Sequence, residues 1–397
     1  MLNYNNILIK KIYEIVLLYI ENNLLKFYKY SFNEDLINHI KSSLDIIKLD
    51  KKELEYFMKH IDKVLNNYYR DDMPCRSYKN NRSKYIPNLD KICKRISTIR
   101  NIPQPPQRTE EWYRFRYDLI TASNAYKCLG TDSKKNEIIC EKCKEFAIHT
   151  GGFEDLDGPL HWGVKYEPLS VMYYEYYYDT KVEDFGCIQH EKYKYLGASP
   201  DGINVDPSSN LYGRMLEIKN PKTREITGIP KDEYWVQMQL QMEVCNLNYC
   251  DFLETKFIEY ENSKDFYNDG SFNESKDGSY KGVFLHFIKD NKSHYFYPPF
   301  ACGKKTFDEW EEDTLNIKDN EGYEWMQNIH WKLEKVSNIL VLRNKIWLTK
   351  AIPEIEKTWN IIEKERIDKS WDKRKAKKNK EKPKKTKSFP VIINVDI

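Results

Sequence analysis

The 397-residue chain has no run of 18 or more apolar residues, so no conventional membrane-spanning helix is expected. Its most apolar N-terminal stretch, 7–25, is broken by Lys10, Lys11, Glu14 and Glu21. It also has no small-residue cleavage site, which excludes a signal peptide. Cysteines are few, odd in number (nine) and scattered, so they do not form the framework of a disulfide-stapled secreted fold. A reducing, intracellular setting follows. No GxxxxGK[ST] loop is present, which argues against ATP hydrolysis. The eight histidines form no metal-spaced group, and nothing supports a Ser-His-Asp arrangement. Net charge is only +3, so average charge does not name a partner.

What is present divides along the chain. Residues 1–70 read as a helical domain: Ile7, Ile12, Ile15, Val16, Ile20 and Leu24 recur at helical spacing, as do Leu54, Phe57, Met58, Ile61 and Val64. Its ordinary role would be packing or oligomerisation. Residues 71–107, polar, basic and ending in Pro103, Pro105 and Pro106, read as a linker with one helix near 89–99. Residues 108–300 mix strand and helix signals. Residues 301–370, with Trp310, Trp325, Trp331 and Trp347, read as a helical extension. Residues 371–397 form a basic tail with an apolar end: 373–387 hold nine lysines and one arginine against one glutamate, and 389–397 are mostly apolar.

The chemistry concentrates in Gly197-Ala-Ser-Pro-Asp-Gly202 and Leu216-Glu-Ile-Lys-Asn-Pro221. On a strand, side chains alternate faces, so Glu217 and Lys219 share one face and Ile218 takes the other. A hairpin through the turn-rich 207–213 segment would set Asp201 beside Glu217. Two carboxylates and a neighbouring main-chain carbonyl make a hard oxygen site suited to Mg²⁺ or Mn²⁺. Such an ion polarises a phosphate and acidifies bound water, while a lysine alongside holds that water and stabilises charge. Taken alone, this trio is more often an ordinary strand with surface charges.

Four neighbours strengthen it. Glu167, in Trp162-Gly-Val-Lys-Tyr-Glu167, adds a third carboxylate at an expected helix start. Gln237 and Gln241, spaced i and i+4, share a helix face and could bond to a phosphate or water, although a solvated face would look the same. Arg116 and Ser123 frame a pocket for a terminal phosphate, although a lone arginine is more often a surface ion-pair residue. Ser199 offers a further hydroxyl two residues before Asp201.

The ordered set Arg108-Thr-Glu-Glu-Trp112, Arg116, Ile120-Thr-Ala-Ser123, Trp162-Gly163, Glu167, Ser199-Pro-Asp-Gly202, Leu216-Glu-Ile-Lys219, Pro221 and Tyr234-x-x-Gln237 resembles the lambda-exonuclease/YqaJ-type viral recombinase family of PD-(D/E)XK nucleases. The resemblance spans about residues 108–260. It implies an α/β fold: a PD-(D/E)XK restriction-endonuclease-like core with a central mixed sheet flanked by helices, here with the N-terminal helical domain and the helical C-terminal extension added. It implies an Mg²⁺- or Mn²⁺-dependent deoxyribonuclease, an exonuclease working 5′→3′ from double-stranded DNA ends in viral recombination, repair or defence against foreign DNA. Asp201, Glu217 and the Ile218 carbonyl would bind the metal, with Glu167 in support. Lys219 would position the water, and Gln237 would orient the nucleophile or scissile phosphate. Arg116, Ser123 and Ser199 would grip a 5′-terminal phosphate. DNA is the implied partner, together with self-association (a dimer is favoured) and a helicase or recombination partner; no membrane is involved. The added termini suggest a giant-virus branch, acting in host cytoplasm or viral factory, with virion and nucleus as alternatives. A structure-directed or single-strand nuclease without end dependence, and a non-cleaving DNA-binding recombination scaffold, are the rival expectations.

Other signals are weaker. Cys140-Glu-Lys-Cys143 has zinc-knuckle spacing with His149 and His161 as partners, but lacks a second pair and reads better as ordinary thiols. Only Cys302 lies beyond Cys250, so no iron–sulfur cluster is expected. The lysine run reads as a solvated tail, as a sequence-independent phosphate tether, or as both, and 389–395 could add a strand to a sheet edge or bind a partner. The tyrosines at 173, 174 and 176–178 read as core and helix surface.

Overall fold

Alternation along β6 (Met215–Lys219) divides the molecule into layers. Leu216 and Ile218 point into a cluster with Trp162, Tyr166, Leu169, Leu253, Phe257, Phe284 and Trp331, and Met215 points into a second cluster with Trp235, Val236, Leu240, Phe252 and Trp347. The computed structural model describes residues 2–46, 50–79, 88–106, 109–146 and 158–374. Arg108, His149, the lysine run beyond Arg374 and the apolar 389–397 segment therefore lie outside the described residues.

Helices α1 (Leu2–Asn23), α2 (Phe32–Ser43) and α3 (Lys51–Asp71) open the chain. Ile12, Val16 and Ile20 form the buried stripe of α1. A capping box starts α3: Asp50 accepts from the Lys52 and Glu53 amides at 2.8 and 2.9 Å, and Glu53 returns a bond to the Asp50 amide at 3.3 Å. These helices share a hydrophobic core with the rest of the molecule. Phe27 meets Trp235 edge-on at 5.7 Å, and Trp235 meets Trp347 at 4.9 Å. Both tryptophans are fully buried, so truncating either to alanine should cost about 3–5 kcal/mol.

Next come α4 (Leu89–Arg100), α5 (Glu110–Tyr117), β1 (Ile120–Thr121), α6 (Ala122–Leu129), α7 (Asp132–Cys143) and α8 (Pro159–Tyr178). Strands β2 (Val182–Glu183), β3 (Ile188–Gln189), β4 (Leu196–Ala198) and β5 (Gly202–Asn204) lead to β6. Then follow α9 (Asp232–Cys245), β7 (Tyr249–Glu259), α10 (Ser263–Asn268), β8 (Lys281–Lys289), β9 (Lys292–Phe296), α11 (Lys304–Asn320), β10 (Glu324–Leu342) and α12 (Lys345–Asp368). Seven strands form a mixed sheet in the order β2-β5-β6-β7-β10-β8-β9; a smaller sheet has the order β1-β4-β3. Within the large sheet only β6 and β7 pair in parallel. A parallel pair needs a crossover, and α9 supplies it, on the face that carries Met215 and Glu217. Helix α8 covers the opposite face. The fold is thus the mixed α/β arrangement expected, with a central sheet between helical layers.

Two expectations need correction. The 301–370 segment is not wholly helical: β10, 19 residues long, lies inside the sheet between β7 and β8. Ile329, Trp331 and Leu333 alternate inward, but a bulge between Leu333 and Lys335 shifts the phase. The four tryptophans belong to three different elements. The core sheet therefore extends well past residue 300. Nor is 71–107 a free linker. Met73, Cys75, Arg76 and Tyr78 are buried, and Tyr78 exchanges backbone bonds with Leu340 at 2.9 and 3.2 Å. Arg76 is tolerated inside because it donates to the Tyr28 carbonyl at 2.9 Å and pairs with Asp232 at 3.3 Å.

Behind β6, Tyr174 donates to Asp251 at 2.6 Å, and Arg214 pairs with Asp251 at 3.0 Å, all three buried. Tyr173 is also buried, whereas Tyr176 and Tyr177 are exposed on the same helix.

Candidate active site

The β5–β6 hairpin brings Asp201 to β6. Pairing between the two strands ends at Gly202↔Leu216, which leaves the β6 edge open from Glu217 onward. Asp201 fills that gap: its Oδ2 accepts from the Ile218 amide at 2.6 Å. On a strand, the N–H and C=O of one residue leave by the same edge. The Ile218 carbonyl therefore faces the edge where Asp201 sits. Gly202 lets Val182 of β2 pack close against the start of β5, because a Cβ there would stand 2.1 Å from Val182 Cγ1.

Glu217 is fully buried, and both its oxygens are engaged. Lys219 Nζ donates to Oε1, and Gln241 Nε2 donates to Oε2 at 2.6 Å. Gln241 also reaches the Ser199 carbonyl at 3.2 Å, while its buried Oε1 has no hydrogen-bond partner among the described residues. Burial, then the like charge of Glu217, pushes the Asp201 carboxyl well above the usual carboxylate range; Lys219 opposes this and Glu167 adds to it. Burial alone would lower the Lys219 ammonium, but Glu217 and Asp201 more than offset it and the net shift is upward. Lys219 stays charged, 5.2 Å from the centre of the Tyr234 ring.

A cavity of about 530 Å³ opens beside this group. Arg116, Thr121, Ser123, Glu167, Asp184, Ser199, Asp201 and Gln237 supply its polar lining, and Ala122, Pro168, Val171, Val182 and Pro200 the apolar part. Arg116 stacks on the Trp112 ring, its guanidinium carbon 4.5 Å from the ring centre. The Ser123 and Thr121 hydroxyls are 3.2 Å apart, and Ser199 donates to the Gly186 carbonyl at 2.8 Å. Six of the expected residues thus line one cavity: Arg116, Ser123, Glu167, Ser199, Asp201 and Gln237. Glu217 and Lys219 adjoin it on β6. Glu167 is not at a helix start; α8 begins at Pro159, and Glu167 sits mid-helix, before Pro168.

Among the described residues, no three His, Cys, Asp or Glu side chains gather as a self-sufficient metal site. Asp201, Glu217 and the Ile218 carbonyl fit a hard ion that keeps several waters instead.

The expectations overlooked the work of Gln241, whose only signal was its i+4 spacing from Gln237. They also overlooked Glu254, buried on β7 at the register position of Lys219 and paired with Arg224 at 2.7 Å. Cys140 and Cys143 are free thiols that donate to the Arg374 and Ile362 carbonyls at 3.9 and 3.6 Å.

Residues 111–248 match the YqaJ-like viral recombinase domain. The chain is similar to an uncharacterized protein of Acanthamoeba polyphaga mimivirus, at 29% identity over 344 residues, covering 76% of this chain and 60% of that one. It therefore spans about 60% of the length of that curated relative. Two crystal structures of an alkaline exonuclease from Laribacter hongkongensis, one in complex with dAMP, align with 67% of this chain and 98% of theirs, at 18% identity and a TM-score of 0.38.

Proposed function

We propose, from the YqaJ-like viral recombinase domain matched by residues 111–248, that this chain is a metal-dependent DNA exonuclease that degrades double-stranded DNA 5′→3′ from its ends. The observation that carries the reading is the single cavity in which Arg116, Ser123 and Ser199 meet Asp201, Glu167 and Gln237. A 5′-phosphorylated terminus needs a cation and hydroxyls; phosphodiester hydrolysis needs carboxylates for a hard ion. Both sets line the same space.

Asp201, Glu217 and the Ile218 carbonyl would hold Mg²⁺ or Mn²⁺, with Glu167 as a further carboxylate; the chemistry supplied is a polarised scissile phosphate and a more acidic bound water. Lys219, kept cationic by Glu217 and Asp201, orients the attacking water and stabilises charge gathering on phosphate oxygens. Gln237, on the cavity wall, orients the nucleophile or scissile phosphate. Gln241 fixes the Glu217 carboxylate through its 2.6 Å bond. The Val171–Val182–Pro168 side offers an apolar surface to the terminal nucleoside. The similarity to a mimivirus protein supports a viral setting: recombination, repair or defence against foreign DNA.

The test compares three DNAs with Mg²⁺: a linear duplex with 5′-phosphates, the same duplex with 5′-hydroxyls, and a closed circle. The phosphorylated duplex should be degraded fastest and the circle spared. Equal cutting of the circle would replace this reading with a structure-directed nuclease.

A further inference from the structure

Arg116 supplies the cation of the proposed end-binding pocket, yet the helix that carries it has little to fix its place. Helix α5 is eight residues long and has no buried residue. Its C-terminal end is held by the Tyr117 hydroxyl, which donates to the Lys144 carbonyl at 2.8 Å, and by two cationic side chains from elsewhere. Lys142 of α7, itself buried, donates from Nζ to the Arg116 carbonyl at 2.8 Å. Arg366 of α12 donates to the Tyr117 carbonyl and to Asp118 Oδ1, both at 3.0 Å, and to the Lys142 carbonyl at 2.8 Å. Its guanidinium also stacks on Tyr117 and Trp359, at 4.4 and 5.3 Å from the ring centres.

The last carbonyls of a helix lack partners within it and favour cations. Lys142 and Arg366 bring cations to the Arg116 and Tyr117 carbonyls, and Arg366 also pairs with the Asp118 carboxylate. The C-terminal segment also holds α7 in place: Cys143 donates to Ile362 and Cys140 to Arg374, so the CxxC thiols serve as packing contacts between α7 and that segment. Arg366 lies well outside residues 111–248.

We propose that Lys142 and Arg366 are positioning residues for end recognition, and that α12 thereby sets how strongly the enzyme selects a 5′-phosphate through Arg116. This rests on the end-binding reading of the cavity. A shift of about an ångström in a charged contact changes rates by tenfold to about a hundredfold. Such a shift at Arg116 acts on ends that carry a phosphate and leaves ends without one nearly untouched.

The experiment measures kcat/KM for 5′-phosphorylated and 5′-hydroxyl duplex ends in wild type, Arg116→Ala, Lys142→Met, Arg366→Met and Arg366→Lys. The Mg²⁺-induced rise in Tm is recorded for each as a check on the carboxylate site. The phosphate-to-hydroxyl ratio should fall about tenfold or more in Lys142→Met and Arg366→Met, toward the Arg116→Ala value, with the hydroxyl-end rate and the Mg²⁺ response kept. Arg366→Lys keeps the charge without the planar fork and should fall between. It is also the mild variant that keeps the test decisive if the methionine variants fold poorly. Equal slowing on both ends, or an unchanged ratio, would overturn the proposal. A wild-type ratio near one, unaltered by Arg116→Ala, would instead remove the end-binding reading on which it rests.

Discussion

Gln241 Nε2 lies 2.6 Å from Glu217 Oε2, across the interface between α9 and β6. The bond fixes a fully buried carboxylate that no solvent can orient. Gln241→Leu should keep the fold and loosen that carboxylate. The Mg²⁺ concentration for half-maximal cleavage should rise by about 10- to 100-fold, read from a metal titration at saturating DNA. An unchanged requirement would show that Glu217 needs no such support.

Asp201 makes the metal-free protein sensitive to pH. Burial and Glu217 raise its carboxyl well above the usual range. Above pH about 3.8 the folded chain then holds a proton that the unfolded chain has lost. Stability without metal should therefore fall as pH rises through the elevated value. Asp201→Asn removes the like charge and keeps an oxygen for the Ile218 amide. In EDTA at pH 7 its Tm should exceed that of wild type, while the Mg²⁺-induced rise disappears. A lower Tm with the Mg²⁺ rise retained would contradict this.

Lys142 carries the opposite signature. Burial, aided by the charges of Arg116 and Arg366 and opposed by Glu141, pulls its ammonium down to about 8. The unfolded chain keeps that proton to about 10.5. Between these values the unfolded state binds more protons, so stability should rise with pH, by up to about 3 kcal/mol. Urea midpoints from pH 7 to 10 should climb more steeply for wild type than for Lys142→Met. Parallel profiles would mean that Lys142 titrates normally.

The arrangement of the candidate site was largely readable because its residues obey local rules. Period-two alternation places Glu217 and Lys219 together, a turn-rich segment closes the hairpin to Asp201, and i+4 spacing aligns Gln237 with Gln241. What escaped depends on contacts distant in sequence. Strand β10 was hidden by its bulge at Leu333/Lys335, which breaks the alternation that marks a strand. The burial of Tyr78 comes from its bridge to Leu340, more than 250 positions away. Glu167 lies mid-helix rather than at a helix start because α8 begins at Pro159, whose fixed φ and missing N–H suit a first turn. Gln241 was expected to bond to a phosphate or water, but the crossover of α9 brings it over Glu217 instead.

The most direct measurement is DNA cleavage by Lys219→Ala, assayed beside wild type in Mg²⁺ and in EDTA, with DNA binding followed in parallel. Lys219 donates to Glu217 and remains charged beside two carboxylates. Its loss should lower cleavage by about 100- to 1,000-fold in Mg²⁺ and leave DNA binding nearly intact, and in EDTA both proteins should be inactive. Full cleavage by Lys219→Ala, or wild-type cleavage that persists in EDTA, would contradict a metal-dependent centre built on Asp201, Glu217 and Lys219.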